Sequence, residues 1–164
     1  MKKGRHLMIW PAIAVFCLDQ VSKWLVAHHI PLFQSRVIIP GLFNLVHTHN
    51  RGIAFGLLNR DSSSPTIFLI TAASLVVIVV LIIWYVRSTE KDTFLTLGIS
   101  LIMGGTLGNM TDRLRLGLVV DFLDIYLGRF HWPAFNVADS SITIGTFMIG
   151  LSLILSHKRS SHAS

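Results

Sequence analysis

The sequence predicts a mainly α, integral membrane fold: four transmembrane helices and a small extracytoplasmic β-sheet. Three observations carry this reading. Of the 164 residues, 52% are hydrophobic and 13% are charged, about half the charge of an average soluble domain. The mean hydropathy is +0.63. The apolar residues are gathered into four blocks, each close to the ~20 residues that cross ~30 Å of hydrocarbon as a helix. The net charge is +6, and the basic residues sit in loops and at the ends, as in a protein meeting anionic lipid rather than nucleic acid. A single cysteine, Cys17, excludes an internal disulfide and a thiolate metal cluster.

Each element follows in order. The first span covers about residues 7–27 (LMIWPAIAVFCLDQVSKWLVA). It begins like a secretory leader, but Asp19 and Lys23 interrupt its core and no small-x-small cleavage site follows, so it is expected to be a retained span. Residues 28–65 are too long for a plain turn. The runs RVIIP, LFNLVHTH and IAFGLL, broken by Pro40-Gly41 and Asn50-Arg51-Gly52, read as short strands of an outer sheet. Further spans are expected at about 66–86, 93–111 and 138–156, making one membrane domain over 1–164. The connection 114–137 carries Trp132, Pro133 and Phe135, suited to the lipid headgroup level. Lys2, Lys3, Arg5, Arg87, Lys91, Lys158 and Arg159 crowd short segments on one side. By the positive-inside rule both termini are expected in the cytoplasm and both long connections outside.

An ionisable group inside an apolar span points to function by default. Asp19 and Lys23 are four residues apart and share a helix face, which also suits a plain structural ion pair. If the helix leaves the membrane near Ala27, they lie roughly 12 and 6 Å below its outer end. The third span ends in GGTLGNMTDR. There Asn109, Asp112 and Arg113 share a face, while Gly104, Gly105 and Gly108 offer a surface for close helix packing. Asp121 and Asp124 follow in VVDFLD, and Asn136 and Asp139 in FNVADS. Asp139 also suits a helix N-cap. All these groups map to the outer half, which points to one site near the outer surface.

The chemistry narrows by elimination. There is no HExxH, GxSxG, Walker or dinucleotide motif, and His47-x-His49 has no third ligand nearby, so no metal and no cofactor is expected. Ser140 and Ser141 have no evident base. Carboxylates in a low-dielectric setting remain. Two that lie close together share a proton, one activating water and the other polarising a carbonyl. Sequence patterning leaves the pair open among Asp19, Asp112, Asp121, Asp124 and Asp139.

The blocks DQVSK (19–23), HNRGIAF (49–55), GGTLGNMTDR (104–113), VVDFLD (119–124) and WPAFNVADSS (132–141) together resemble the ordered motifs of bacterial lipoprotein signal peptidases, the signal peptidase II family. The resemblance implies an inner-membrane aspartic endopeptidase with a sheet cradle on the membrane surface. Its substrates would be prolipoproteins, cleaved before a diacylglyceryl-modified cysteine. It places the catalytic pair on Asp121 and Asp139. Asn50, Asn109, Arg113 and Asn136 fall on residues lining the substrate site, and Asp19 and Lys23 on a supporting pair. Asp112 falls on a structural partner, and Asp124 outside the essential set. Arg51 stands where the family often has a smaller residue. Membrane lipids are implied as partners, nucleic acid is not, and a monomer is expected. The competing readings are a transporter or channel subunit and a scaffold. Against the first, no charge continues through the inner halves of the spans. The second gives no reason for polar groups to converge.

Overall fold

A computed structural model describes residues 5–52, 64–87 and 92–161. The expected strand IAFGLL and the link RSTEKD fall largely outside those residues. Four helices form: α1 (Arg5–His29), α2 (Ser64–Arg87), α3 (Thr93–Leu116) and α4 (Val137–Ser161). At 1.5 Å per residue each is about 36 Å long, enough to cross a membrane. All four contain a stretch apolar enough to do so. α3 is the most enclosed and packs against the other three. α2 is the most apolar and turns most of its surface outward, as a lipid-facing helix should.

The small residues of α3 permit this central place. A Cβ on Gly105 would meet the Ala138 carbonyl oxygen of α4 at 2.5 Å, and one on Gly108 would meet Asp19 Oδ2 of α1 at 2.5 Å. Backbone approach of this kind drives helix association where lipid tails already satisfy apolar side chains. Leu81, Leu95, Ile99 and Ile149 then close a dry core between α2, α3 and α4. The first turn of α3 is capped by Asp92, whose Oδ1 accepts from the backbone of Phe94 at 2.8 Å. Ser152 of α4 donates to the other oxygen of the same carboxylate. At its far end Gly117, at φ 69°, takes the left-handed conformation that stops a helix, and its N–H bonds Arg113 O at 3.0 Å.

Among the described residues the sheet has four antiparallel strands in chain order: β1 (Ser35–Ile39), β2 (Phe43–Asn50), β3 (Val119–Leu127) and β4 (Phe130–His131). Only β1 and β2 come from the region where strands were expected. β3 and β4 come from 114–137, read from the sequence as a plain connection. The start of β3, Val119–Phe122, is buried on both faces, so it shows no alternation and reads as an undifferentiated apolar run. Helix α3 also runs to Leu116, about five residues past its expected end, because Asp112 and Arg113 are buried and partnered rather than solvated.

Val26, Ile30 and Phe122, with Leu45, Leu123 and Val137 packed around them, seat the sheet on the ends of α1 and α4. His47 of β2 adds a bond from its ring Nδ1 to Ile30 O at 2.8 Å. Since a carbonyl accepts, that nitrogen carries the proton. The sheet is thus fixed directly above one end of the bundle.

Candidate active site

Where β2 and β3 meet the ends of α1, α3 and α4, one buried polar network forms. The turn into α4 organises it. Asn136 Oδ1 accepts from the backbone N–H of Asp139 at 2.9 Å, and Asp139 Oδ2 accepts from the backbone N–H of Asn136 at 3.3 Å. This reciprocal pair is a capping box. Asn136 is therefore the cap, and Asp139, expected as the N-cap itself, sits three residues into the motif with its other oxygen directed elsewhere. Ser140 and Ser141 donate to the carbonyls of Asn136 and Ala138.

Asp121 comes from β3, opposite Thr48 of β2. Its Oδ1 accepts from Asn136 Nδ2 at 2.7 Å and its Oδ2 from Asn50 Nδ2 at 3.0 Å. Asp139 Oδ1 accepts from Asn109 Nδ2 at 2.8 Å. Two carboxylates, 2% and 5% exposed, are thus joined through one residue, Asn136, and each is held by neutral amides. Burial, and then the negative charge of Asp139, push the Asp121 carboxyl up to about 7, against the pull of the Asn50 and Asn136 amides and of Lys23. Burial and that neighbouring charge thus both favour the protonated form of Asp121.

Beneath the pair lies an ionic layer. Lys23 Nζ bridges Asp19 Oδ2 and Asp112 Oδ2, both at 2.8 Å, and donates to Asn109 Oδ1 at 2.9 Å. Asp19 Oδ1 accepts from Ala138 N at 2.9 Å, a carboxylate at the N-terminus of α4 where the helix dipole favours it. Arg113 reaches from α3 to Gly52 O at 3.0 Å, and Gly52 N donates to Asn50 Oδ1 at 2.9 Å. Arg113 thereby holds the residue that holds Asp121.

The eight residues that the family resemblance placed at the site, Asp19, Lys23, Asn50, Asn109, Arg113, Asp121, Asn136 and Asp139, meet in this network, and Asp112 joins them through Lys23. Asp124 does not. Three residues along β3 from Asp121, it points to the opposite face, where it accepts from Asn44 Nδ2 at 2.9 Å and contacts His131 Nδ1 at 2.9 Å. It ties β2, β3 and β4 together. Sequence reasoning passed over Gln20, which bonds Asp112 Oδ1 at 2.9 Å and Gly108 O at 3.3 Å. The available signal was a further polar residue beside Asp19 in an apolar span. Among the described residues no group of three or more His, Cys, Asp or Glu could hold a metal.

Fold and site define a polytopic membrane protein that keeps a carboxyl pair in a buried polar network at one end of its bundle. Comparison with known proteins places it further. The sequence model of the signal peptidase (SPase) II family matches residues 11–155, and the chain belongs to that family. A lipoprotein signal peptidase of Solibacter usitatus is 37% identical over 93% of this chain and 93% of its own length. One from Nitratidesulfovibrio vulgaris is 46% identical over 87% and 86%. A solved bacterial membrane enzyme, determined by the in meso method, superposes with a TM-score of 0.82 at 31% identity, covering 92% of this chain and 88% of that one. The protein is a membrane-embedded signal peptidase, a hydrolase of peptide bonds, with the four-helix and small-sheet architecture expected from its sequence.

Proposed function

We propose that this peptidase removes the signal peptide from prolipoproteins, cutting before a diacylglyceryl-modified cysteine with water activated between Asp121 and Asp139. The convergence of two buried carboxylates on Asn136 supports this reading most directly. The ionised partner takes a proton from the water, and the protonated one donates to the scissile carbonyl oxygen. Asn50 and Asn109 orient the two carboxyls, and Arg113 fixes the Asn50 turn. Asp19 and Lys23 support the layer below. The whole chain acts as one membrane domain and as a monomer. Both termini lie in the cytoplasm, and the site faces outward, where the sheet covers a substrate whose acyl chains stay in lipid. Acyl burial contributes roughly 0.8 kcal/mol per CH₂ to holding the substrate at that depth.

Cleavage of a lipidated prolipoprotein by purified variants tests this. Asp121→Asn and Asp139→Asn are each expected to lose turnover while remaining folded, because Asn keeps the size of Asp but cannot move the proton. Asp124→Asn is expected to keep it. The same precursor without its diacylglyceryl group should be cut poorly. Substantial turnover by either folded dyad variant refutes the pair. Equal turnover of both precursors refutes the lipid requirement.

A further inference from the structure

Lys23 has three partners for its three N–H donors. Its ammonium contacts Asp19 Oδ2, Asp112 Oδ2 and Asn109 Oδ1 and is 4% exposed. It has no donor left for a substrate and no acceptor with which to receive a proton. What it does control is the Asn109 amide. A side-chain amide has two faces of similar size and opposite polarity, and its neighbours decide which way it points. With the ammonium at 2.9 Å, only Oδ1 can face Lys23, so Nδ2 must face Asp139 Oδ1, where it lies at 2.8 Å. Asn136 Nδ2, at 3.3 Å from the same Asn109 oxygen, supports that orientation.

We propose that Lys23 is a positioning residue which, by locking the Asn109 amide with its N–H toward Asp139, selects Asp139 as the ionised member of the pair and leaves the shared proton to Asp121. A flipped Asn109 would present its oxygen to the Asp139 carboxylate and oppose its charge. An N–H donor favours the charged form of an acceptor. Asp121 receives amide donors from Asn136 and Asn50, whose side-chain oxygens accept from the backbone N–H groups of Asp139 and Gly52, whereas the amide on Asp139 is set by an ammonium. Among the described residues, the charged groups around the pair are Asp19 and Lys23 from α1, Asp112 and Arg113 from α3, Asp121 from β3 and Asp139 from α4, while β2 contributes the neutral Asn50. Arg113 spends its described bonds on the carbonyls of Gly52 and Asn109. The proposal rests on Asp121 and Asp139 being the working pair.

The test is the pH profile of kcat on a lipidated prolipoprotein, with KM and folding measured alongside. Lys23→Met with Asp112→Asn removes one cation and one carboxylate together, so the layer's net charge is kept. Its acidic limb, which reports the group that must be ionised, is expected to move up by about one pH unit, with kcat at the parent's acidic midpoint falling about five-fold. KM should stay within about three-fold, since no substrate contact is removed. Lys23→Gln with Asp112→Asn restores an N–H donor to Asn109 and is expected to bring the limb back. A role in packing alone would lower kcat at every pH without moving the limb. That result in a folded protein overturns the proposal. If the Lys23 variants fail to fold, Asn109→Ala decides, because it removes the relay's output and must show the same upward shift. A limb coinciding with the parent's overturns the proposal. Turnover by Asp121→Asn or Asp139→Asn would instead overturn the pair, and the relay with it. An unmoved limb with both dyad variants inactive overturns the relay alone.

Discussion

Asp121→Asn should separate stability from activity in a way that depends on pH. In the folded protein the Asp121 carboxyl is raised from 3.8 to about 7, first by burial and then by the charge of Asp139. Between those two values the unfolded chain has released a proton that the folded chain still holds. Stability therefore falls as pH rises through that window. With a tenfold change in equilibrium per pH unit the whole interval is worth about 4 kcal/mol, of which roughly 2–3 kcal/mol accrues between pH 5 and pH 8. Asn cannot ionise and escapes this cost. It carries another, because its NH₂ must face one of two amide donors, Asn50 or Asn136, but that loss is the same at every pH and cancels. The stability of Asp121→Asn relative to the parent should therefore rise by about 2–3 kcal/mol from pH 5 to pH 8, about 5–10 °C in apparent Tm for a chain of this size. Tryptophan fluorescence during heating in detergent, at matched scan rates, reads this. A difference that stays flat across the range would refute the raised Asp121 carboxyl and the burial argument behind it.

Two further outcomes follow from the packing. Arg113→Ala releases the Gly52 carbonyl and with it the turn that orients Asn50. Losing a buried charged hydrogen bond is worth about 1.5–3 kcal/mol, so kcat/KM should fall about 10- to 100-fold. Arg115→Ala, at an exposed position, should match the parent. Equal activity of the two variants at equal expression would remove Arg113 from the site. Gly108→Ala places a Cβ 2.5 Å from Asp19 Oδ2 and should cost about 1–3 kcal/mol. Gly150→Ala meets nothing within 4 Å and should be neutral or slightly stabilising. Equal apparent Tm values would show that α1 and α3 are less tightly apposed.

The helices were legible because hydrocarbon imposes length and apolarity together, a signal that a single sequence states directly. The polar residues inside α1 and α3 were legible for the complementary reason, since the bilayer makes them costly unless partnered. Two things were harder to read. The β3 strand is buried on both faces where it begins, so no alternation of polar and apolar residues set it apart from a connection. Asp139 was readable as a cap or as a free carboxylate, but not as part of a reciprocal motif. The difference lies in Asn136, whose backbone and side chain serve α4 while the same amide reaches Asp121 across the network. Patterning alone left five aspartates open. The family motifs pointed to two of them, and the geometry separates Asp124, on the opposite strand face, and Asp112 and Asp19, which are engaged by Lys23.

Charge balance connects these features. Among the described residues of the network, four buried carboxylates, Asp19, Asp112, Asp121 and Asp139, face two buried cations, Lys23 and Arg113. Lys23 is committed to Asp19 and Asp112. The described hydrogen bonds of Arg113 go to the carbonyls of Gly52 and Asn109, so it acts on the acid pair only through space. Asp121 and Asp139 are left with amide donors alone. Amides can hold one buried negative charge, but two adjacent buried charges without a cation in contact cost much more. The cheapest alternative is one proton kept between the two. The ionic layer beneath does more than brace the helices. Because it commits Lys23 to Asp19 and Asp112, Lys23 acts on Asp121 through space rather than in contact, and under the proposed function the proton left on the pair is the one that hydrolysis would use.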